Sequence, residues 1–432
     1  MGAVAAKLKP RLWNNSPLNL AWTDTIVPIE PRNRAPFKRS AESASDAEPL
    51  PESVVVGVSG GVDSAVALKR IRDTGVPLQA VFMKNWDEDD ADEFCSAEQD
   101  LADARAVCEQ LDVPLLTVNF SFEYWERVFE DFLAEHRRGR TPNPDVMCNQ
   151  VLKFDAFLDY ARDLGATHIA TGHYARIDQL DSRFRLLRAY DENKDQSYFL
   201  HRLNQHQLAC ARFPLGELDK PAVRELARQS QLPVHDKKDS TGLCFIGERP
   251  FADFLARFVE PDPGPIRTPQ GETVGEHRGL AFYTIGQRQG LGIGGRADAA
   301  QLPWYVADKD MQNNVLVVVQ GGNHPALFTA ELVADSVHWI AGFAPRLPLR
   351  CEARIRHRQH LQTCTVLADD AQTQQQNSAP ETLRVHFENS QRAVAPGQSV
   401  VFYLGEECLG GAIIQRPVPP ETTIPASPQT LL

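Results

Sequence analysis

Val54-Val55-Val56-Gly57-Val58-Ser59-Gly60-Gly61-Val62-Asp63-Ser64 is a short apolar run followed at once by two serines, two glycines and an acid, and Ala65 to Arg72 continues it with helical spacing. Five apolar residues bounded by turn residues make a buried strand. The two glycines let the backbone turn tightly and bring its N–H groups against an anion. The start of the helix adds partial positive charge there, and the serines add hydroxyl donors. Strand, loop and helix in this order suit a pyrophosphate. There is no Lys of the G-x-x-x-x-G-K-[ST] kind and no G-x-G-x-x-G, so neither a phosphate-transferring P-loop nor a dinucleotide fingerprint fits.

Outward from this stretch the same rhythm repeats. Leu78 to Met83 reads as a strand, Ala97 to Leu111 as an amphipathic helix, Pro114 to Phe120 as a strand, Leu152 to Leu164 as a helix and Thr167 to Ala170 as another strand. Such alternation predicts an α/β fold with a parallel sheet, helices on both faces and ligands at the carboxyl ends of the strands. After about Cys210 the rhythm is lost. A helix over Pro221 to Gln229 and short strands at Trp304 to Val306 and Val315 to Val319 predict a small mixed central domain. Short apolar runs from Thr329 to Gln415 predict a C-terminal β-barrel. The expected division is a disordered leader (1–52), a nucleotide-binding catalytic domain (53–210), the central domain (211–328), the barrel (329–418) and a flexible tail (419–432). The leader is basic at Lys7, Lys9, Arg11, Arg32, Arg34, Lys38 and Arg39, but its acids argue against a transit peptide. The polar stretch Asp369 to Ala379 reads as a long hairpin loop within the barrel.

With 432 residues, 42% of them apolar, the chain has enough sequence for two or three cores. It contains no apolar run long enough for a membrane span and no secretory signal, which predicts a cytoplasmic protein. The net charge of −12 excludes indiscriminate binding to nucleic acid and leaves room for a local basic face. Arg350, Arg354, Arg356, His357, Arg358 and His360 are candidates for it, although such a run is as readily a solvated edge. Eight cysteines without a C-x-x-C pair suggest neither a zinc site nor a disulfide framework, so a cysteine that matters here is reactive. His168 reads as a packed strand residue, Trp86 as a lid or core aromatic, and the acids from Asp87 to Glu93 as a solvated loop.

Two cysteines have chemical company. Thr141-Pro142-Asn143-Pro144-Asp145-Val146-Met147-Cys148-Asn149 reads as a rigid loop with an acid and a thiol three residues apart. A carboxylate does not lower a thiol's pKa; Arg137, Arg138 and Arg140 are the neighbours that would. Lys237-Lys238-Asp239-Ser240-Thr241-Gly242-Leu243-Cys244 describes an electropositive loop in which a thiolate is stabilised and can accept sulfur.

The glycine stretch resembles the PP-loop of ATP pyrophosphatases, an adenine nucleotide alpha hydrolase-like, Rossmann-like fold. The two cysteine segments, together with Phe82 to Trp86, Ala170 to Tyr174, Asn193 to Leu200, Tyr283 to Arg288, Leu291 to Gly295, Pro396 to Ser399 and Cys408 to Gly411, resemble the tRNA-specific 2-thiouridylases from Val54 to about Arg416. The resemblance implies ATP held by Gly57, Val58, Ser59, Gly60, Gly61, Val62, Asp63, Ser64, Met83 and Gly172, with Asp63 orienting the pyrophosphate and its Mg²⁺. It implies Cys148 as nucleophile, Cys244 as carrier of a persulfide sulfur, a transient disulfide between them, and Asp145 as acid/base. Asn143, Pro144 and Asp145 would form the base pocket with His173 and Gln398 near the flipped base, and Lys194, Asp195, Gln196, Arg356 and His357 would contact tRNA. The implied partners are tRNAs with a wobble uridine, typically for Lys, Glu and Gln, and a sulfur-relay protein fed by a cysteine desulfurase; a monomer is expected.

A uridine carbonyl has oxide as its leaving group, so adenylation, which makes that leaving group AMP, is the step that ATP supplies. Sulfur then reaches C2 by direct attack of the persulfide or after Cys148 reduces it to bound sulfide; the residues leave both routes open. Rival readings are an amide-forming PP-loop synthetase, which needs no paired cysteines, a sulfur transferase using an iron–sulfur cluster, and a tRNA-binding protein that has lost catalysis.

Overall fold

A computed structural model describes residues 52–86, 97–239, 251–294, 302–369 and 381–418. The expected leader and tail, the acidic run beginning at Asp87, Cys244 with most of its loop, and the Gln-rich stretch lie outside the described residues.

Strand β1 (Val54–Val58) lies at the centre of a parallel sheet of order β3-β2-β1-β4-β7, with β2 at Leu78–Lys84, β3 at Leu115–Asn119, β4 at His168–Ala170 and β7 at Ala211–Arg212. Alternate strand residues point to opposite faces. Val54, Val56 and Val58 of β1, Ala80 and Phe82 of β2 and Ala170 of β4 enter one core with helices α1 (Val62–Arg72) and α2 (Ala97–Leu111). Val55, Val81, Val118 and Ile169 enter the other, against the helical stretches α3 (121–137) and α4 (144–163). A sheet covered on both faces explains why its strands read as continuous apolar runs.

The sheet does not stop at 210. Its fifth strand is Ala211–Arg212, and Val223, Ala227, Leu232 and Val234 join the α1/α2 core, the first two from helix α7 (Lys220–Gln229). The expected boundary at 210 fell there because a two-residue strand carries no periodicity; the unit continues at least to Val234. A hairpin unrecognised in the sequence, β5 (Arg176–Leu180) and β6 (Arg183–Leu187), leaves this unit and pairs with the barrel, Glu407 opposite Leu187 and Cys408 opposite Leu186. Two short helices follow it, α5 (Ser197–Leu200) and α6 (Gln205–Ala209).

Helix α8 (Phe251–Ala256) opens the central part. Beyond it, β8 (Gly264–Arg267), β9 (Thr273–His277), β10 (Trp304–Asp310) and β11 (Val315–Gln320) form a mixed sheet of order β10-β11-β8-β9. Phe254 and Phe258 from this part pack on Trp86, Trp125 and Phe129 with ring centroids 4.9–6.4 Å apart, which makes Trp86 a core aromatic.

The C-terminal strands are β12 (Phe328–Trp339), β13 (Leu349–Arg354), β14 (Gln362–Ala368), β15 (Leu383–Arg392), β16 (Ser399–Leu404) and β17 (Glu407–Val418). They run β12-β15-β14-β13-β16-β17, and β12 pairs again with β17, so the sheet closes. Closure leaves a barrel without free edges, filled by Leu332, Val366, Val385, Phe387, Val400, Phe402 and Ile414. No helix among the described residues is long and apolar enough to cross a membrane.

A buried ion pair ties barrel to sheet unit. Asp195 and Arg354 are 1% and 5% exposed, and the guanidinium donates to Asp195 Oδ2 at 2.8 Å. Asp195 Oδ1 accepts the N–H groups of Ala189 and Ser197, at 3.1 and 3.2 Å, and Arg354 lies 5.3 Å from the Tyr403 ring. Removing one partner strands the other's charge, which costs about 3–5 kcal/mol. Arg354→Ala is therefore expected to lower the urea midpoint markedly, and Arg354→Ala with Asp195→Ala by less than the sum of the two; an additive pair of losses would count against this junction.

Candidate active site

The phosphate loop has the geometry its sequence requires. Gly60 takes φ +73°, and a Cβ there would lie 2.2 Å from the carbonyl oxygen of Asp100 on α2, so only glycine fits. The Ser59 N–H donates to Ser64 Oγ at 3.1 Å, Ser64 Oγ donates to the Gly61 carbonyl at 3.0 Å, and the two serine hydroxyls lie 3.2 Å apart. These bonds bend the loop over the start of α1, whose first turn has N–H groups with no helical partner behind them. Gly172, just past β4, abuts the same turn; a Cβ on it would lie 2.9 Å from the Ser64 nitrogen. Gly57 forms the floor, where a Cβ would meet Met83 Cε at 3.3 Å and the Phe157 ring at 3.4 Å. The cradle thus sits where β1 and β4 end side by side with their helices on opposite faces, the place an open parallel sheet offers a nucleotide.

Asp63 is the second residue of α1. Its Oδ1 accepts Tyr174 Oη at 2.8 Å and Lys220 Nζ at 2.7 Å. Burial, then the Asp63 charge and hydrogen bond, push the Tyr174 hydroxyl far up, so it stays a donor. Lys220 also reaches Asp239 Oδ1 at 2.8 Å, and Asp239 collects Lys194 at 2.6 Å and Arg224 at 2.8 Å. On the other flank Lys237 donates to the Gly60 carbonyl at 3.0 Å and to Asp100 and Asp103. Sequence patterns do not single out Lys220 or Arg224. The available signal was weak: a Lys just inside a helix start, where the dipole disfavours a cation.

The segment expected as a rigid loop is helical from Pro144. Asn143 caps it, its side chain accepting the Asp145 N–H at 3.2 Å, and Pro144 stands at the first position, where a missing N–H costs nothing. Asp145 and Cys148 therefore lie three residues apart on one helix face. Cys148 begins a nine-residue π-helical stretch, Cys148–Ala156, a widened coil that is rare and recurs at functional sites. The same helical run carries Phe157 to the floor of the cradle. Nine residues span at most about 14 Å along the axis, which brings thiol and nucleotide floor onto one rigid element. Cys148 is only 1% exposed. The arginines expected to favour its thiolate are engaged elsewhere: Arg138 and Arg140 on Glu135, Arg140 also on Gln415, and Arg137 on the Phe258 carbonyl.

The loop before Pro144 is held by the barrel. Gln398 donates to the Thr141 carbonyl at 2.7 Å and to that of Pro142 at 3.4 Å, the Thr141 N–H donates to Pro396, and a Cβ at Gly397 would strike Thr141 at 2.9 Å. Gln398 thus grips the loop leading into Asn143. His173 is buried, with Nδ1 2.8 Å from Thr171 Oγ1, and burial keeps its imidazole neutral well below the usual pKa. Of the residues expected at the tRNA, the Asp195 carboxylate faces inward onto Arg354, and Gln196 Oε1 accepts the Tyr174 N–H at 2.9 Å. His357 bonds the Asp195 carbonyl at 2.9 Å beside the Phe199 ring, and Arg356 donates to the Arg392 and Ala393 carbonyls while remaining exposed. The basic run is accordingly mixed: Arg354 is buried, Arg350 is paired with Glu388 on the surface, and Arg358 and His360 are exposed. Burial pushes the Cys108 thiol up to about 11 and that of Cys408 further, which sets these two apart from a reactive thiol.

The family models agree with this architecture in order: a tRNA methyl transferase HUP domain over residues 52–248, a tRNA methyl transferase PRC-barrel domain over 252–320 and an aminomethyltransferase beta-barrel domain over 329–414. A tRNA-specific 2-thiouridylase MnmA of Alkalilimnicola ehrlichii is 54% identical over 86% of this chain and 99% of its own length. The protein of that name from Aeromonas hydrophila is 53% identical over 84% of this chain and 96% of its own.

The chain belongs to the tRNA-specific 2-thiouridylase family. Among solved structures an NMN synthetase from Francisella tularensis is similar over 45% of this chain and 68% of its own, at 24% identity and a TM-score of 0.29. Within the family fold, the cradle and the Cys148 helix share one sheet unit, and the barrel braces the loop between them.

Two tests follow from the geometry. Gly172→Ala is expected to keep the fold and weaken ATP binding at least about ten-fold in calorimetry, since its methyl would press on the first turn of α1; unchanged affinity would remove Gly172 from the cradle. Burial raises the Asp239 carboxyl, but hydrogen bonds from Lys194 and Lys220 outweigh it and hold the group near 2, below its ordinary 3.8. A depressed native pKa stabilises fully above the unfolded value and is lost as pH falls through the native one. The stability difference between wild type and Asp239→Asn is thus expected to be constant from about pH 5 to 8 and to shrink between about pH 4 and 2.

Proposed function

We propose that this protein is a cytoplasmic tRNA-uridine 2-sulfurtransferase that adenylates the C2 oxygen of a wobble uridine with ATP and replaces it with sulfur, releasing AMP and pyrophosphate. The observation that carries the reading is the 54% identity to a named 2-thiouridylase over 99% of that enzyme's length. The cradle supports its first half-reaction. Ser59 to Ser64 and the start of α1 suit the pyrophosphate end of ATP, Gly57 and Met83 the floor, and Asp63, with Oδ2 outside its two hydrogen bonds, suits the Mg²⁺ that accompanies ATP.

In the second half-reaction Cys244 carries the persulfide sulfur. Attack of that sulfur on C2 expels AMP and leaves the base joined to Cys244 through an S–S bond; the Cys148 thiolate then attacks the Cys244 sulfur, which breaks that bond, releases the thiolated base and forms the transient Cys148–Cys244 disulfide. Alternatively Cys148 attacks the Cys244 sulfur of the persulfide first, forming the same disulfide and releasing a bound sulfide that displaces AMP; in both routes an external thiol reductant restores the two cysteines. Asp145, one turn before Cys148, is the acid/base, in a pocket with Asn143 and Pro144. The target base must leave its stack to reach these groups, which costs least in an anticodon loop. Because Cys148 is buried here, the tRNA-bound form must uncover it. Lys194, Asp195, Gln196, Arg356 and His357 are assigned to tRNA contact, Asp195 through its backbone because its carboxylate is held by Arg354, the tRNAs being those for Lys, Glu and Gln, and the sulfur is assigned to a relay protein fed by a cysteine desulfurase.

The description of the matching family model names methyl transfer. The cradle favours adenylation instead, because a methyl donor of the sulfonium type has no pyrophosphate for such a loop to hold. Transfer of labelled sulfur to unmodified tRNA, with ATP and a persulfide donor, separates the two. Wild type is expected to form 2-thiouridine, and Cys148→Ser and Cys244→Ser to lose it by at least about a thousand-fold. No transfer by a loaded, folded wild type would overturn the proposal.

A further inference from the structure

Lys220 breaks two rules of stable folding at once. It is the first residue of α7, where the helix dipole disfavours a cation, and it is 9% exposed, where burial of an ammonium is costly. Lys220 shares the buried side of α7 with Val223 and Ala227, a place an apolar side chain would fill without any charge to neutralise, and Asp219 caps the helix. Local rules broken without a gain in packing point to a functional site.

The contacts say what is gained. Lys220 Nζ bridges Asp63 Oδ1 at 2.7 Å and Asp239 Oδ1 at 2.8 Å. Tyr174 donates to the same oxygen of Asp63, so two donors fix the rotation of that carboxylate through Oδ1. Its Oδ2 accepts no hydrogen bond among the described residues, although Asp63 is still 30% exposed at the cradle. A monodentate oxygen held in one orientation is what a magnesium ion with strict octahedral geometry takes from a protein while phosphates and waters supply the rest. Asp239 in turn is shared with Lys194 and Arg224 and keeps Lys220 in place.

We propose that Lys220 is a positioning residue for the nucleotide step: it locks Asp63 with one oxygen occupied and the other presented to the cation of Mg·ATP, and Asp239 anchors it there. The inference rests on the ATP reading above and adds to the phosphate loop a cation from α7, some 157 residues along the chain. Lys220 acts through Asp63, so its effect must vanish when Asp63 has nothing left to orient.

The test is a double-mutant cycle read by calorimetric binding of Mg²⁺ with a non-hydrolysable ATP analogue, and by KM and kcat for tRNA-dependent pyrophosphate release. Lys220→Met is expected to weaken Mg·ATP binding about ten-fold or more, the size of a lost charged hydrogen bond, and to leave the KM for tRNA within about two-fold. Lys220→Arg is expected to restore most of the loss, and Asp239→Asn to give a smaller shift of the same sign. In an Asp63→Asn background, Lys220→Met is expected to add less than about two-fold. Should Lys220→Met not fold, Lys220→Gln takes its place in the same cycle. Independent, multiplicative losses from Asp63→Asn and Lys220→Met, or unchanged Mg·ATP binding in a folded Lys220 variant, would overturn the proposal. A wild type that binds Mg·ATP but forms no 2-thiouridine would overturn the sulfurtransferase reading alone, because the binding cycle does not depend on it.

Discussion

A carboxylate with no exposure must be neutralised by charge and filled with hydrogen bonds, and Asp195 imposes that constraint on the barrel and on its own segment together. Its side chain takes the Arg354 guanidinium from the barrel and two backbone N–H groups from its own segment, and its carbonyl takes His357. The next residue, Gln196, accepts the Tyr174 N–H, and the Tyr174 hydroxyl ends on Asp63. A line of hydrogen bonds, joined through the chain at Asp195-Gln196 and through the Tyr174 side chain, therefore runs from a barrel strand to the phosphate loop. Each member is buried or half-buried, so a shift at one end leaves an unsatisfied group unless the next contact shifts too.

The barrel acts on the site through a second set of contacts. Gln398, Pro396 and Gly397 hold Thr141 and Pro142, the two residues that lead into the cap of the Cys148 helix. The helix start is over-determined: the capping Asn143 and the N1 proline fix it locally, and the barrel fixes the chain entering it. The cysteine helix and the phosphate loop are thus each tied to the barrel by separate contacts, and the fold behaves as one framework around the cleft although the cores are distinct.

The parallel sheet was legible because β1 and its glycines obey local rules that tertiary contacts do not override; the turn at Gly60 demands glycine wherever it occurs. Cys148 and Asp145 were legible as a pair for the same reason, though their loop proved helical once Pro144 was seen at the first position of a helix. What sequence patterns missed was non-local. A two-residue strand at Ala211 has no period to detect, and a hairpin that leaves its own unit to pair with β17 reads like any surface turn. That Asp195 is a buried half of an ion pair could not be read locally, because its partner Arg354 is 159 residues away. Arg137, Arg138 and Arg140 looked like company for a thiolate because they are close in sequence, whereas α3 turns them toward Glu135 and the Phe258 carbonyl.

The same distinction explains the charge distribution around the cradle. A phosphate-transferring P-loop carries its lysine within the motif, so one sequence stretch suffices. This loop has none, and its cations come from α7 and from the residues on either side of it: Lys194, Lys220, Arg224 and Lys237, each bound to a carboxylate. Paired cations do not give the bare positive field that would attract any polyanion, which accords with a chain of net charge −12 acting on a chosen RNA. They hold their positions at low cost in unpaired charge.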